Sequence, residues 1–268
     1  MSSKGIALVT GAGKNTFPIL TLSLISPPAQ GIGRGVALRL AEDGFEVAVN
    51  DVAANSANLD SLVAEIKQKG RESSKHIADV SQDEQVKVMV EEVVKQHGSL
   101  DVMVANAGIL GPEGPLTEIS AEQYDRVMSV NARGPFFCYK YAGIQMIKQG
   151  RGGRMIGASS LAGKRGIGPL TAYSMSKFAV RGLTQAAAQE FAPHGITVNA
   201  YAPGGIDTPM MIGNRDRTER MEEAKQMSPL KLVGVPADIA SLVSFLASAE
   251  SRFITGQTMS IDGGAFFD

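Results

Sequence analysis

The amino-acid sequence predicts an α/β fold: a single doubly wound parallel sheet with helices on both faces. Three observations predict it. Short, continuously apolar runs, as in strands buried on both faces, alternate with amphipathic helical patterns along the chain. The first run, Ile6-Ala7-Leu8-Val9, leads into a glycine-bearing turn and, further on, a helix. The 268 residues, 44% hydrophobic and 20% charged, are enough to bury one full core.

In chain order, Thr10-Gly11-Ala12-Gly13 follows the first strand, where a helix should begin. Instead comes Lys14 to Ala29, with three prolines, an apolar middle and no helical period. Then Gln30-Gly31-Ile32-Gly33-Arg34-Gly35 opens a helix through Val36, Leu38, Leu40 and Ala41. Phe45 to Asn50 is the second strand and stops at Asp51. Leu59, Leu62, Val63 and Ile66 give the next helix, and Ser74 to Ala78 leads to Asp79-Val80. Val86, Met89, Val90, Val93 and Val94 form an amphipathic helix, and Leu100 to Val104 is the central strand, ending at Ala105-Asn106-Ala107-Gly108. A long helical pattern from Ser120 to Met146 contains Asn131, disfavoured in mid-helix because its amide competes for backbone groups.

Arg154 to Ala158 is a further strand, and Phe178, Val180, Leu183 and Ala187 repeat at helical spacing. Ile196 to Ala202 leads to the turn Pro203-Gly204-Gly205-Ile206-Asp207-Thr208. Residues 209–235 are rich in Met and charge, and read either as a mobile substrate lid or as a plain amphipathic helix. Ile239, Leu242, Val243 and Leu246 form a last helix before the strand at Met259. His76, His97 and His194 fall on surface-like segments or helix ends and are assigned no chemistry.

Composition narrows the function. A net charge of −1 gives no footprint for nucleic acid or an anionic membrane surface. The single cysteine, Cys138, excludes an intramolecular disulfide, suits a reducing compartment and reads as a packing residue. The longest apolar-rich run, residues 17–25, is too short to span a bilayer, and Ser2-Ser3-Lys4 opens no cleavable signal. The expectation is a cytoplasmic protein with no nucleic-acid or membrane partner.

Two local arrangements carry chemistry. Tyr173 and Lys177 leave one helix face a turn apart, and a phenol of pKa about 10 beside an ammonium is favoured as phenolate. An ordinary exposed ion-and-phenol pair is the alternative. A glycine turn between strand and helix lets backbone approach a pyrophosphate held on free N–H groups.

Ser160, Tyr173 thirteen residues later and the Tyr-x-x-x-Lys pattern, with further blocks in order, resemble the classical short-chain dehydrogenase/reductase family over nearly the whole chain. The resemblance implies a Rossmann fold in one domain, residues 1–268, with an atypical insert at 14–29 and a substrate lid at 209–235. It implies Asn131, Ser160, Tyr173 and Lys177 as the catalytic set, with Ser159 a weaker candidate than Ser160. Cofactor contacts are expected from Gly11, Gln30, Gly31, Ile32, Gly33, Asp51, Asp79, Val80, Asn106, Ala107, Gly108, Tyr173, Lys177, Pro203, Gly204, Ile206 and Thr208, and no metal is expected. A carboxylate at Asp51 favours NAD over NADP, whereas Arg34 could serve a 2′-phosphate. The family also implies a homotetramer or dimer.

The family's Thr-Gly-x-x-x-Gly-x-Gly turn is present only in halves, Thr10-Gly11 and Gly31-Ile32-Gly33. Removing residues 14–29 restores its spacing. The insert is either a translated intron, since Gly13-Lys14 and Pro28-Ala29 can encode donor-like and acceptor-like signals, or a surface loop. Its apolar residues are expected to lie against the cofactor crevice and weaken dinucleotide binding; a folded, cofactor-free relative is the extreme case. Several blocks, among them Val198 to Gly204, look like diacetyl/acetoin reductases (2,3-butanediol dehydrogenases), so a small hydroxyketone or diketone is the expected substrate. Sugar alcohols, 3-oxoacyl groups and secondary metabolites are the alternatives.

Overall fold

The computed structural model describes residues 3–13, 31–213 and 216–267. The insert at 14–29, with its expected place against the crevice, and Gln30 lie outside the described residues.

The strands are β1 (Ile6–Thr10), β2 (Glu46–Asp51), β3 (Ser73–Ile77), β4 (Val102–Ala105), β5 (Gly153–Ala158), β6 (Ile196–Pro203) and β7 (Thr258–Ile261). Among the described residues they form one seven-stranded sheet in the order β3-β2-β1-β4-β5-β6-β7. Every pairing is parallel. Val9 of β1 pairs with Val49 on one side and Val104 on the other. The chain therefore changes direction across the sheet between β1 and β4, and a crevice opens beyond their C-terminal ends. β1 is buried along its whole length, which is why its sequence shows no polar alternation.

The helices are α1 (Ile32–Asp43), α2 (Ser56–Gln68), α3 (Asp83–His97), α4 (Ala121–Met128), α5 (Gly134–Gln149), α6 (Thr171–Phe191), α7 (Pro209–Ile212), α8 (Arg217–Met227) and α9 (Pro236–Ala247). Val36 and Leu40 of α1, Leu59, Leu62 and Ile66 of α2, and Ile239 and Val243 of α9 pack on one face of the sheet. Val86, Met89 and Val93 of α3, Cys138, Tyr139 and Met146 of α5, and Ala187 and Phe191 of α6 fill the other. Leu40 is fully buried, so truncating it to alanine would cost about 2–5 kcal/mol. Cys138 packs in this second layer, as expected.

Three local expectations are corrected. The helical stretch after Ser120 is not one α-helix: a π-helical turn, Ser129–Arg133, separates α4 from α5. Asn131 sits fully buried in that turn, where its side chain meets backbone groups outside the helix. Phe178 is 42% exposed, because the inward face of α6 runs through Lys177, Val180, Thr184, Ala187 and Phe191. His76 and His97 are not surface residues. The Ser74 hydroxyl lies 2.8 Å from Nε2 of His76 and 2.7 Å from Nε2 of His97. Glu92 and Glu46 face the two Nδ1 atoms at 3.5 Å. This network ties β3 to the end of α3, and the polar letters of β3 concealed it.

Candidate active site

The crevice is built first from the turn after β1. Gly11 has φ +63°, and a Cβ there would come within 2.7 Å of the Ala107 Cα. A Cβ on Gly33 would meet the Gly11 carbonyl oxygen and the Asn106 amide nitrogen, each at 2.5 Å. Glycine at both positions lets the start of α1 close onto the central strands. Gly31, Ile32 and Gly33 line the cavity, and the first-turn amides of a helix have no acceptor within it.

Asn106 fixes the other side of this turn. Its Nδ2 donates to the Thr10 and Gly11 carbonyls at 2.8 and 3.2 Å. The backbone amides of Asn106 and Ala107 donate to the Thr10 hydroxyl at 3.0 and 3.1 Å. Tyr201 of β6 completes the set by donating to Asn106 Oδ1 at 2.8 Å. Sequence reasoning passed over Tyr201, whose polar end is hidden in an apolar strand pattern.

Asp51, at the end of β2, is buried, and burial pushes its carboxyl pKa up. Donors from Asn55 Nδ2 at 2.9 Å, Val52 N at 2.8 Å and Gly13 N at 2.9 Å pull it back. Asn55 is the second residue missed; its position at the N-cap of α2, four residues after Asp51, was the available signal. Asp51, Asp79, Val80, Ala107 and Gly108 line a side cavity of about 200 Å³. Arg34 does not line it: its guanidinium pairs with Glu65 of α2.

Ser160, Tyr173 and Lys177 meet in the main cavity, of about 670 Å³, with Gly11, Asn106, Pro203, Gly204, Ile206 and Thr208 also in its wall. Ser160 lies beside the Tyr173 phenol in this wall. Ser159 instead donates to the Lys177 carbonyl at 3.0 Å and is buried. Lys177 Nζ donates to the Ala158 carbonyl at 2.8 Å and lies 5.4 Å from the centre of the Tyr173 ring. Burial lowers the amine pKa to about 8. The expected lowering of the Tyr173 pKa is not seen. Burial pushes the phenol up, and the neighbouring Ser160 hydroxyl offsets part of that. Asn131 lines neither cavity. Its amide holds both the N–H and the carbonyl of Ile109 at 2.8 Å and donates to Ser176 Oγ at 3.1 Å.

Residues after Thr208 form the outer wall, with Met210, Met211, Ala224, Met227, Leu230 and Leu232 in the lining. Arg220 of α8, in the lining, pairs with Glu113 at 3.0 Å. Among the described residues, no group of His, Cys, Asp and Glu could hold a metal, and no helix is long and apolar enough to cross a membrane.

A glycine cradle at the start of a helix, an acid at the end of β2 and a Ser-Tyr-Lys cluster define a nicotinamide-dependent oxidoreductase. The chain belongs to the short-chain dehydrogenase/reductase family, NAD(P)-dependent enzymes acting on CH–OH groups. A family model described as Enoyl-(Acyl carrier protein) reductase matches residues 28–265, so it leaves out β1. A short-chain dehydrogenase/reductase of Armillaria gallica is 49% identical over 274 residues, covering 100% of this chain and 98% of that protein. The 3-oxoacyl-(acyl-carrier-protein) reductase FabG of Staphylococcus aureus is 42% identical over 244 residues, covering 91% of this chain and 97% of that one. Among solved structures, NAD+-bound xylitol dehydrogenase is similar at TM-score 0.86 and 32% identity, covering 98% of this chain and 99% of that one. Acetoin dehydrogenase from Salmonella typhimurium is similar at TM-score 0.82 and 29% identity, covering 97% of each chain.

Proposed function

We propose that this chain interconverts a ketone and a secondary alcohol, with Tyr173 as the group that moves the proton. The observation that carries this reading is that Ser160, Tyr173 and a buried Lys177 meet in one cavity wall. Tyr173 gives its phenolic proton to the ketone oxygen in reduction and takes it from the alcohol in oxidation. Ser160 donates a hydrogen bond to the same oxygen as charge develops there. Lys177 places a cation beside the phenol and offers hydrogen bonds to a ribose. Asn131 positions Ile109 and, through Ser176, the helix that carries Lys177.

The cradle fits a nicotinamide dinucleotide: the Cβ contacts at Gly11 and Gly33 exclude side chains, and among the described residues nothing lies within 4 Å of a Cβ on Gly31. Gly31, Ile32 and Gly33 would hold the pyrophosphate, Asp51 the adenosine ribose, Asp79, Val80 and Ala107 the adenine side, and Asn106, Gly108, Pro203, Gly204, Ile206 and Thr208 the nicotinamide half. Bound there, the nicotinamide supplies or accepts the hydride at the carbonyl carbon. Asp51 repels a 2′-phosphate, and Arg34, engaged with Glu65, is not free to bind one. NAD is therefore the preferred cofactor in this reading. Residues 209–235 act as the lid, and the enzyme works as a homo-oligomer.

Tyr173→Phe tests this directly. Turnover should fall by at least a hundredfold while NADH affinity stays within about twofold. A variant that keeps more than a few per cent of ketone reduction removes Tyr173 from the proton path. The diacetyl/acetoin reading has support in the sequence blocks and in the likeness to acetoin dehydrogenase. Those blocks touch cofactor and scaffold more than substrate, and the cavity lining favours a larger molecule.

A further inference from the structure

We infer that the substrate carries its carbonyl on a bulky, uncharged apolar skeleton, seated between Tyr173 and an outer wall of Met210, Met211, Met227, Leu230 and Leu232. This rests on the oxidoreductase reading above and names the substrate class of that site.

The first support is charge. Among the described residues, five charged ones line the main cavity, and each has a partner in the protein. Lys177 donates to Ala158, and Arg220 is held by Glu113 and Glu223. Asp238 accepts from the Val235 amide, and Asp262 from the amides of Gly264 and Phe266. Beyond Lys177, whose cation serves the phenol, a phosphate or carboxylate in the substrate would find no cation without an acidic partner among the described lining residues. The second support is the outer wall's polar side chains, which are also engaged. Ser228 donates to the Gly263 carbonyl at 3.0 Å and Ser241 to the Ala237 carbonyl at 3.0 Å. A polyol would exchange water for a wall that offers its hydroxyls few partners.

The third support is the rim. Met227, Leu230 and Leu232 are 51%, 67% and 65% exposed, yet all three line the cavity. A four-carbon diketone held at Ser160 and Tyr173 is too small to cover them. A larger apolar body extending from Tyr173 toward the mouth would. Methionine suits such a wall because its unbranched thioether adapts to an irregular shape.

The test is a set of NADH-dependent reductions by the full chain: diacetyl, xylulose, the 2-alkanones from butanone to nonanone, and the bicyclic ketone trans-1-decalone. Each buried CH2 is worth about a fourfold gain in binding. The kcat/KM should therefore rise along the alkanones and be at least about a hundredfold higher for decalone than for diacetyl. The double variant Leu230→Ser, Leu232→Ser, on an exposed rim, should raise KM for decalone about tenfold with the thermal unfolding temperature unchanged. Best turnover with diacetyl or xylulose overturns the inference and leaves the oxidoreductase reading standing. No turnover of any ketone, with NADH still bound, overturns the proposed function itself. A double variant with unchanged KM but a smaller mass in sedimentation shows that the rim is covered by a second copy of the chain, and that also overturns the inference.

Discussion

The Tyr201 hydroxyl donates to Asn106 Oδ1 at 2.8 Å and so decides which way that amide faces. With the oxygen toward Tyr201, the nitrogen points at the Thr10 and Gly11 carbonyls and holds the glycine turn against the central strand. Tyr201→Phe keeps the shape and leaves the Asn106 oxygen unpaired. A lost hydrogen bond of this kind is worth about 0.5–1.5 kcal/mol. NADH affinity should fall roughly fivefold, with kcat within a factor of about two, by fluorescence titration and steady-state kinetics. Unchanged affinity would show that the turn holds without Tyr201.

Cofactor choice should respond to two acids in different ways. Asp51→Ala removes the repelling carboxylate, and Glu65→Gln releases Arg34. A charge-assisted hydrogen bond is worth about 1.5–3 kcal/mol, so each change should shift the NADH/NADPH ratio of kcat/KM toward NADPH by about tenfold. Asp51→Ala should also weaken NADH itself, and Glu65→Gln should not. A wild-type enzyme that already prefers NADPH would refute the reading of both residues.

The Lys177 amine has its pKa lowered to about 8 by burial. Below that pH the ammonium is present in the free enzyme, and above it the cation is lost. The kcat/KM for ketone reduction reports free-enzyme ionisations, so it should decline as pH rises through about 8. The same shift bears on stability. The unfolded chain binds more protons between pH 8 and the ordinary lysine value of 10.5, so this contribution to stability rises with pH across that window. A flat kcat/KM profile from pH 7 to 10 would contradict the assignment.

His76 is shifted in the same direction, on the acid side of neutral pH. Burial lowers its pKa from 6.5, against the pull of Glu92, with His97 adding to the lowering. Its neutral form is favoured in the fold, so stability is retained above pH 6.5 and lost as pH falls from there toward the folded value. His76→Gln can still hydrogen-bond Ser74 but does not titrate. The fall in Tm between pH 7.5 and 5.5 should be smaller in this variant than in wild type. An equal fall in both places the acid sensitivity elsewhere.

The sheet was legible in the sequence because buried parallel strands are mostly apolar at their centres, and every strand from β1 to β6 shows such a stretch except β3. That strand is spelled Ser73-Ser74-Lys75-His76-Ile77. Its polar residues satisfy one another inside the protein, a pairing that no periodicity records. Tyr173 and Lys177 were legible because they share a helix face, and Ser160 because its spacing to Tyr173 matches the family's pattern. Asn55, Tyr201 and Glu65 were not. Each acts through a partner remote in sequence or on another element, at distances set by the fold. The break in the helix at Ser129–Arg133 was equally hidden, since the apolar spacing runs on through it. The one trace was Asn131, a residue ill suited to mid-helix.

That π-helical turn has a consequence for how the enzyme tolerates change. Successive residues of an α-helix are offset by about 100° around its axis, so a wide turn resets the winding phase of everything after it. Deleting one residue within Ser129–Arg133 would let α4 and α5 merge into one regular helix and swing Asn131 away from Ile109. The helix would remain, and its content by spectroscopy would barely change, while the loop carrying Ile109 lost its anchor. A length change of one residue here is thus a functional mutation that measures of folding would pass over.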